Sequence, residues 1–214
     1  TNTGAFPTVL TLDAASGTTS FTGNILNGTS GLSLVKTGAA TQTLSGNNTY
    51  ANGTTLSGGT LRLLDNAAAL GTGDLTINGT TPVLELSRST GGSLTFANNV
   101  TVAANATIRS NTNTVGAGSA FTLGTLGIGA QTLTIEGGAN VNSGTASIAF
   151  GATTHTGAPT YTVNNPAGGG ITQFSLGTLT GSNFATTING SGEMLQSGPW
   201  TIATAASASA ITYN

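Results

Sequence analysis

Acid–base chemistry in this chain would have to come from six carboxylates, Asp13, Asp65, Asp74, Glu85, Glu136 and Glu193, and one histidine, His155. A glycosidase needs two carboxylates about 5–9 Å apart across the scissile bond, one of them kept protonated. Glu85 and Glu136 have similar settings. The first is the middle residue of Leu84-Glu85-Leu86 and the second follows Leu133-Thr134-Ile135, so they are expected to align on one face. No acid cluster and no Arg or Lys pairing accompanies them in the sequence, which argues against an active site. A serine triad would need His155 beside an acid and an oxyanion hole. His155 lies in a Thr-rich turn without a nucleophile elbow and reads as a solvated loop histidine.

The four cations, Lys36, Arg62, Arg88 and Arg109, are scattered, and the formal net charge is −2. Without a basic patch, nucleic acid and anionic membrane surfaces are poor partners. Lys36 and Arg62 are expected to be solvated or corner residues, and Tyr50 to pack at a corner rather than stack on a sugar. There is no cysteine, hence no disulfide, thiolate nucleophile or thiolate metal site. Calcium-binding β-rolls need an Asp in every nonapeptide, whereas the turns here carry Thr and Asn. Lys36 also lacks the Gly-rich approach of a phosphate loop. The expectation is no catalytic, cofactor-binding or metal residue, and no enzyme.

What would position any such group is a run of short strands. Charged residues make up 5% of the 214 positions, against about 25% in ordinary domains, so hydroxyls and amides must cover the surface. Hydrophobic residues reach 37% and recur as apolar–polar–apolar triplets, which argues against disorder. The triplets are Leu10-Thr11-Leu12, Leu32-Ser33-Leu34, Leu61-Arg62-Leu63, Leu75-Thr76-Ile77, Leu84-Glu85-Leu86, Leu94-Thr95-Phe96, Val100-Thr101-Val102 and Phe121-Thr122-Leu123. They continue with Leu133-Thr134-Ile135, Ile148-Ala149-Phe150, Tyr161-Thr162-Val163, Phe174-Ser175-Leu176 and Trp200-Thr201-Ile202. A period of two buries the outer pair and exposes the middle residue.

Asn-Gly and Gly-Gly pairs at 27–28, 52–53, 58–59, 78–79, 91–92, 137–138 and 189–190 mark tight corners. Hairpins would need longer strand pairs. Short strands between corners suit a parallel β-helix, whose turns of about 20 residues stack into one core. The chain then makes roughly ten rungs, about 50 Å of stack. Residues 65–70 are the one stretch that reads as a helical turn at a corner. No run of about 18 apolar residues exists, so no helix is expected to span a membrane. Asn27, Asn52, Asn78 and Asn105 head Asn-x-Thr triplets, read as members of stacked Asn and Thr ladders rather than glycosylation sites.

Residues 31–63 resemble the autotransporter-associated β-strand repeat of long bacterial surface proteins. The matching residues are Leu34, Lys36, Gly38, Leu44, Gly46, Asn48, Thr49, Tyr50, Gly53 and Thr54, then Gly59-Thr60-Leu61. Ala40 stands where a second Gly is usual. Flanks at 19–27 and 68–73 look like the segments around such a repeat. A degenerate copy is expected near 193–214, where Leu195-Gln196-Ser197-Gly198 echoes Val35-Lys36-Thr37-Gly38. The resemblance implies a right-handed parallel β-helix, secretion to the bacterial cell surface and a structural role.

The expectation for residues 1–214 is therefore one all-β solenoid domain: an extracellular stalk or fibre segment. The rival is an adhesin that recognises a carbohydrate or surface through one face, which an exposed row of aromatics would favour. A polysaccharide-degrading β-helix is the remote alternative. Thr1 has no Met or charged, apolar leader before it, so a signal has been removed or the chain is a piece of something longer. Neither end carries a charged or helical cap of the kind that terminal solenoid repeats need. Continuation in a longer chain, or head-to-tail stacking of copies, is the expected partnership.

Overall fold

The computed structural model describes residues 6–181, 184–199 and 211–213. These residues wind into a parallel β-solenoid. The first face stacks eight strands, Thr8–Leu12, Leu32–Lys36, Thr54–Leu56, Leu75–Ile77, Val100–Val102, Leu126–Ile128, Thr153–His155 and Leu179–Thr180, in chain order. The second stacks nine, Thr18–Phe21, Thr41–Leu44, Thr60–Leu64, Val83–Arg88, Ala106–Thr112, Thr132–Gly137, Thr160–Asn164, Thr186–Asn189 and Ile211–Tyr213. A third face of five strands begins only at Gly92–Thr95 and continues through Ser119–Leu123, Thr145–Phe150, Ile171–Leu176 and Glu193–Gln196.

The eight strands of the first face bound seven turns, fewer than the ten expected. The reason is the third face. Leu34 pairs with Thr54, twenty positions on, but Leu126 pairs with Thr153, twenty-seven positions on. Each later turn spends the extra residues on one more strand. Twelve of the thirteen triplets lie on strands or end one residue beyond, and the thirteenth, at 200–202, lies outside the described residues. Residues 65–70 form paired turns rather than a helix, with Ala69 N donating to Asn66 O (3.2 Å) and Gly71 N to Ala68 O (3.0 Å).

Register makes the core. Leu61, Leu84, Ile108, Ile135 and Val163 occupy one column on the second face, and each is essentially fully buried. On the third face Leu94, Phe121, Ile148, Phe174 and Met194 form another column, fully buried at its three middle residues and half-buried at Leu94 and Met194. Each fully buried side chain of this size contributes about 1.5–3 kcal/mol. Outward positions carry mostly small polar residues, as in the rank Thr41, Thr60, Thr107, Thr134 and Thr162, which only Val83 interrupts.

Turn-to-turn contact leaves no room at some corners. Gly59 has φ +61, and a Cβ there would lie 2.4 Å from the Gly38 carbonyl oxygen. The glycine is required by both conformation and space.

Leu84→Ala is expected to cost about 2–5 kcal/mol, whereas Thr107→Ala on the outward rank stays within about 0.5 kcal/mol. Urea denaturation followed by far-ultraviolet circular dichroism checks the contrast, and equal costs would contradict the assignment of inward and outward columns.

Candidate functional site

Glu85 and Glu136 do share the outward side of the second face, but they are not free. In register across four neighbouring strands stand Arg62, Glu85, Arg109 and Glu136. Arg62 Nε lies 3.1 Å from Glu85 Oε1, and Arg109 Nη1 lies 3.2 Å from Glu85 Oε2. Arg109 also reaches Glu136 Oε1 with Nε (2.8 Å) and Nη2 (2.6 Å). The expectation that no arginine pairs with these acids is corrected: the pairing runs between strands 23–27 positions apart and has no local sequence signal. The Glu85 and Glu136 backbones stand two strand spacings apart, about 9.6 Å, and one guanidinium bridges their carboxylates. Arg109 fills the gap where a glycosidic bond would have to lie.

Glu85 is buried. Arg62 Nη2 donates further to Ser87 Oγ (3.0 Å) and Asn113 Oδ1 (2.9 Å). Burial works against the charge of Arg109. Its hydrogen bonds to Glu136 and Glu85, and their attraction, outweigh that cost and hold the guanidinium above its ordinary value. A second ion pair, Arg88 with Asp65, spans 3.9 Å. Asp65 adopts φ 58 and accepts from Ser89 N at 2.8 Å.

Lys36 sharpens a second expectation, that of a solvated or corner residue. It is a corner residue, as the repeat spacing suggests, but it is 1% exposed rather than solvated. Leu32, Leu34 and Lys36 all point inward, and Lys36 sits in the column Leu12, Lys36, Leu56, Ile77. Its methylene stem replaces a leucine there, while Nζ turns into the corner and donates to the carbonyls of Thr37, Gly38 (2.8 Å) and Gly58 (3.1 Å). An ammonium has three protons, and all three are used. Burial lowers its pKa, with the Asp13 carboxylate pulling the other way.

Tyr50 packs at a corner, as its position implies. It is fully buried, with its hydroxyl 2.8 Å from Thr54 Oγ1, and burial pushes its pKa up to about 12. Asn48 joins three turns, its Oδ1 accepting from Ile25 N (2.8 Å) and its Nδ2 donating to Ala69 O (2.6 Å). Asn27 Oδ1 accepts from Leu32 N (3.0 Å) and Ala51 N (2.9 Å). Asparagines thus bond mostly to the backbone of neighbouring turns. Like-to-like contacts are fewer, such as Asn66 with Asn47 (2.9 Å) and Thr154 with Thr180 (3.2 Å).

His155 corrects a third expectation. It ends the strand Thr153–His155, points inward and is 3% exposed. Nε2 lies 2.8 Å from the Tyr161 hydroxyl, and Nδ1 has no partner. Among the described residues no serine or acid is hydrogen-bonded to it. Among the described residues no group of three or more His, Cys, Asp or Glu side chains converges on a metal position. No helix among them is long and apolar enough to cross a membrane.

Tyr50, Phe96, Phe121, Phe150, Tyr161 and Phe174 are buried, whereas Phe6, Phe21 and Phe184 are exposed; Trp200 lies outside the described residues. The exposed rings form no row: Phe6 and Phe21 lie in the first turn, Phe184 after the last strand of the first face.

Residues 34–63 match the family model of the passenger-associated transport repeat. The matched segment supplies two strands to each of the first two faces of a longer solenoid, and Lys36, Asn48 and Tyr50 lie within it. No curated protein and no solved structure matches the chain.

Lys36→Met keeps the stem and strands three carbonyl oxygens, so it is expected to lower stability by about 1–3 kcal/mol; an unchanged urea midpoint would refute the staple. Glu85→Ala leaves Arg62 and Arg109 facing each other and is expected to cost about 1–3 kcal/mol, against about 0–1 kcal/mol for the more exposed Glu136→Gln. A double-mutant cycle of Glu85 with Arg109 reads the coupling directly.

Proposed function

We propose that this chain is a non-enzymatic structural segment of an exported passenger protein, a stalk held outside the cell. The observation that carries the reading is that the chemistry-bearing side chains are spent on turn-to-turn contacts. The carboxylates most suited to catalysis close an ionic ladder, the lysine plugs a corner, and the histidine is in the core. The match to a passenger-associated transport repeat supports the export context, and scattered exposed aromatics offer no sugar-binding row for an adhesin. A single solenoid domain across 1–214, with a degenerate repeat at 193–214, belongs to the same proposal. That segment lies largely outside the described residues. Its opening strand, Glu193–Gln196, is on the third face, and Gln196 Nε2 donates to Gly198 O at 2.7 Å.

Continuation in a longer chain is favoured over stacking of identical copies. The first described turn has two faces and the last has three. Head-to-tail contact would therefore leave the third face without a partner, along with its unpaired backbone edge.

Small-angle scattering of the purified chain is expected to return a monomeric rod with a stack of about 34 Å, seven turns at 4.8 Å. Antibody labelling of producing cells in electron microscopy is expected to fall along surface projections. Depolymerisation of a polysaccharide by the purified chain, or labelling confined to the cell interior, would overturn the proposal. Filaments that grow with concentration would replace the stalk with a fibre.

A further inference from the structure

We propose that His155 is an acid-sensitive latch that holds the later turns of the solenoid closed at neutral pH and releases them as the pH falls. The residue sits where the three faces meet. His155 comes from the first face, Tyr161 from the second and Phe174 from the third. The imidazole and phenol rings are 5.9 Å apart, and Tyr161 lies 5.3 Å from Phe174, which in turn packs edge-on against Phe150 at 6.2 Å. A single hydrogen bond, His155 Nε2 to the Tyr161 hydroxyl, ties the first face to the second at this level.

The neutral ring makes one hydrogen bond, through Nε2. Whichever tautomer is present, Nδ1 is buried without a partner. Protonation makes both nitrogens donors and adds a charge, so one N–H would be left orphaned in an apolar core. The strands packed against His155 offer no relief. Leu126–Ile128 below, Leu179–Thr180 above, Thr160–Asn164 across and Ile171–Leu176 beyond contain no charged residue, and Tyr161 is the titratable side chain they present. Burial with no counter-charge pulls the imidazole from 6.5 to about 4.

Release is expected to begin above this residue. The pairing of Thr153–His155 with the next turn is two residues long, Thr153 to Leu179 and Thr154 to Thr180, whereas three residues pair it to the turn below. The sign follows from the depressed pKa. An opened turn has an ordinary imidazole that binds a proton as the pH falls through about 6.5, and the closed turn does not follow until about 4. Closure is therefore fully favoured above about pH 7 and weakens between 6.5 and 4. Opening gains on the order of 100-fold over that interval.

His155 is the one histidine in the chain, so its Cε1 proton is unambiguous in an NMR titration. The expected result is a native resonance that does not titrate above about pH 5. Hydrogen-exchange protection factors for residues 153–180 should fall by on the order of 100-fold between pH 7 and pH 4, more than those for 31–137. His155→Phe, which keeps a ring in the slot and removes the proton site, should abolish that histidine-dependent share while the response of the carboxylates remains. An imidazole titrating near 6.5 in the folded chain would overturn the latch even if the variant failed to fold. So would an unchanged pH response in His155→Phe.

Discussion

Everything in this molecule depends on the vertical register of parallel strands. Contacts between turns far outnumber those within one, and the apolar side chains of a turn become a core when the next turn places a partner in the same column. Sequence-distant residues such as Leu61, Leu84 and Ile108 are therefore neighbours, and a slip of one residue would turn a whole strand inside out. On the first two faces every interior strand among the described residues pairs its backbone with the turns on either side. With the backbone settled in this way, the distinctive chemistry falls to a few side chains at corners.

Three of those side chains share one pattern. Each takes an inward slot of the first face where a corner or neighbouring face supplies its partner, whereas the Thr153 hydroxyl, in the same kind of slot, has none. Lys36 finds three carbonyls, Thr54 finds the Tyr50 hydroxyl, and His155 finds the Tyr161 hydroxyl. The outward ionic ladder is the same logic on the other side of the sheet, with charges of alternating sign one strand apart. In a chain with so few charged residues, spending four on one column points to a role in holding turns together.

The strands were legible because period-two alternation is local and needs no knowledge of the partner. The turn count was less legible, since triplets do not reveal which face they belong to, and the added third face lengthens each later turn. Strands whose inward slots hold Thr, Lys or His, such as Thr54–Leu56 and Thr153–His155, escape an apolar pattern altogether. The repeat at 31–63 marked the right corner but not what happens there. Lys36 read as a solvated or corner residue, and its burial was not legible because an ammonium is costly to bury unless acceptors converge on it, which here needs Gly58 from the next turn.

The sequence by itself determined the alternation, the glycine and asparagine corners and hence a stack of short parallel strands, because these are properties of a few adjacent residues. Tertiary structure alone decided that Arg62, Glu85, Arg109 and Glu136 form one column, that Lys36 is a buried staple and that His155 lies in the core. Each of those outcomes depends on how many residues the chain uses before it comes round again. That number varies from turn to turn, and with it which side chains meet.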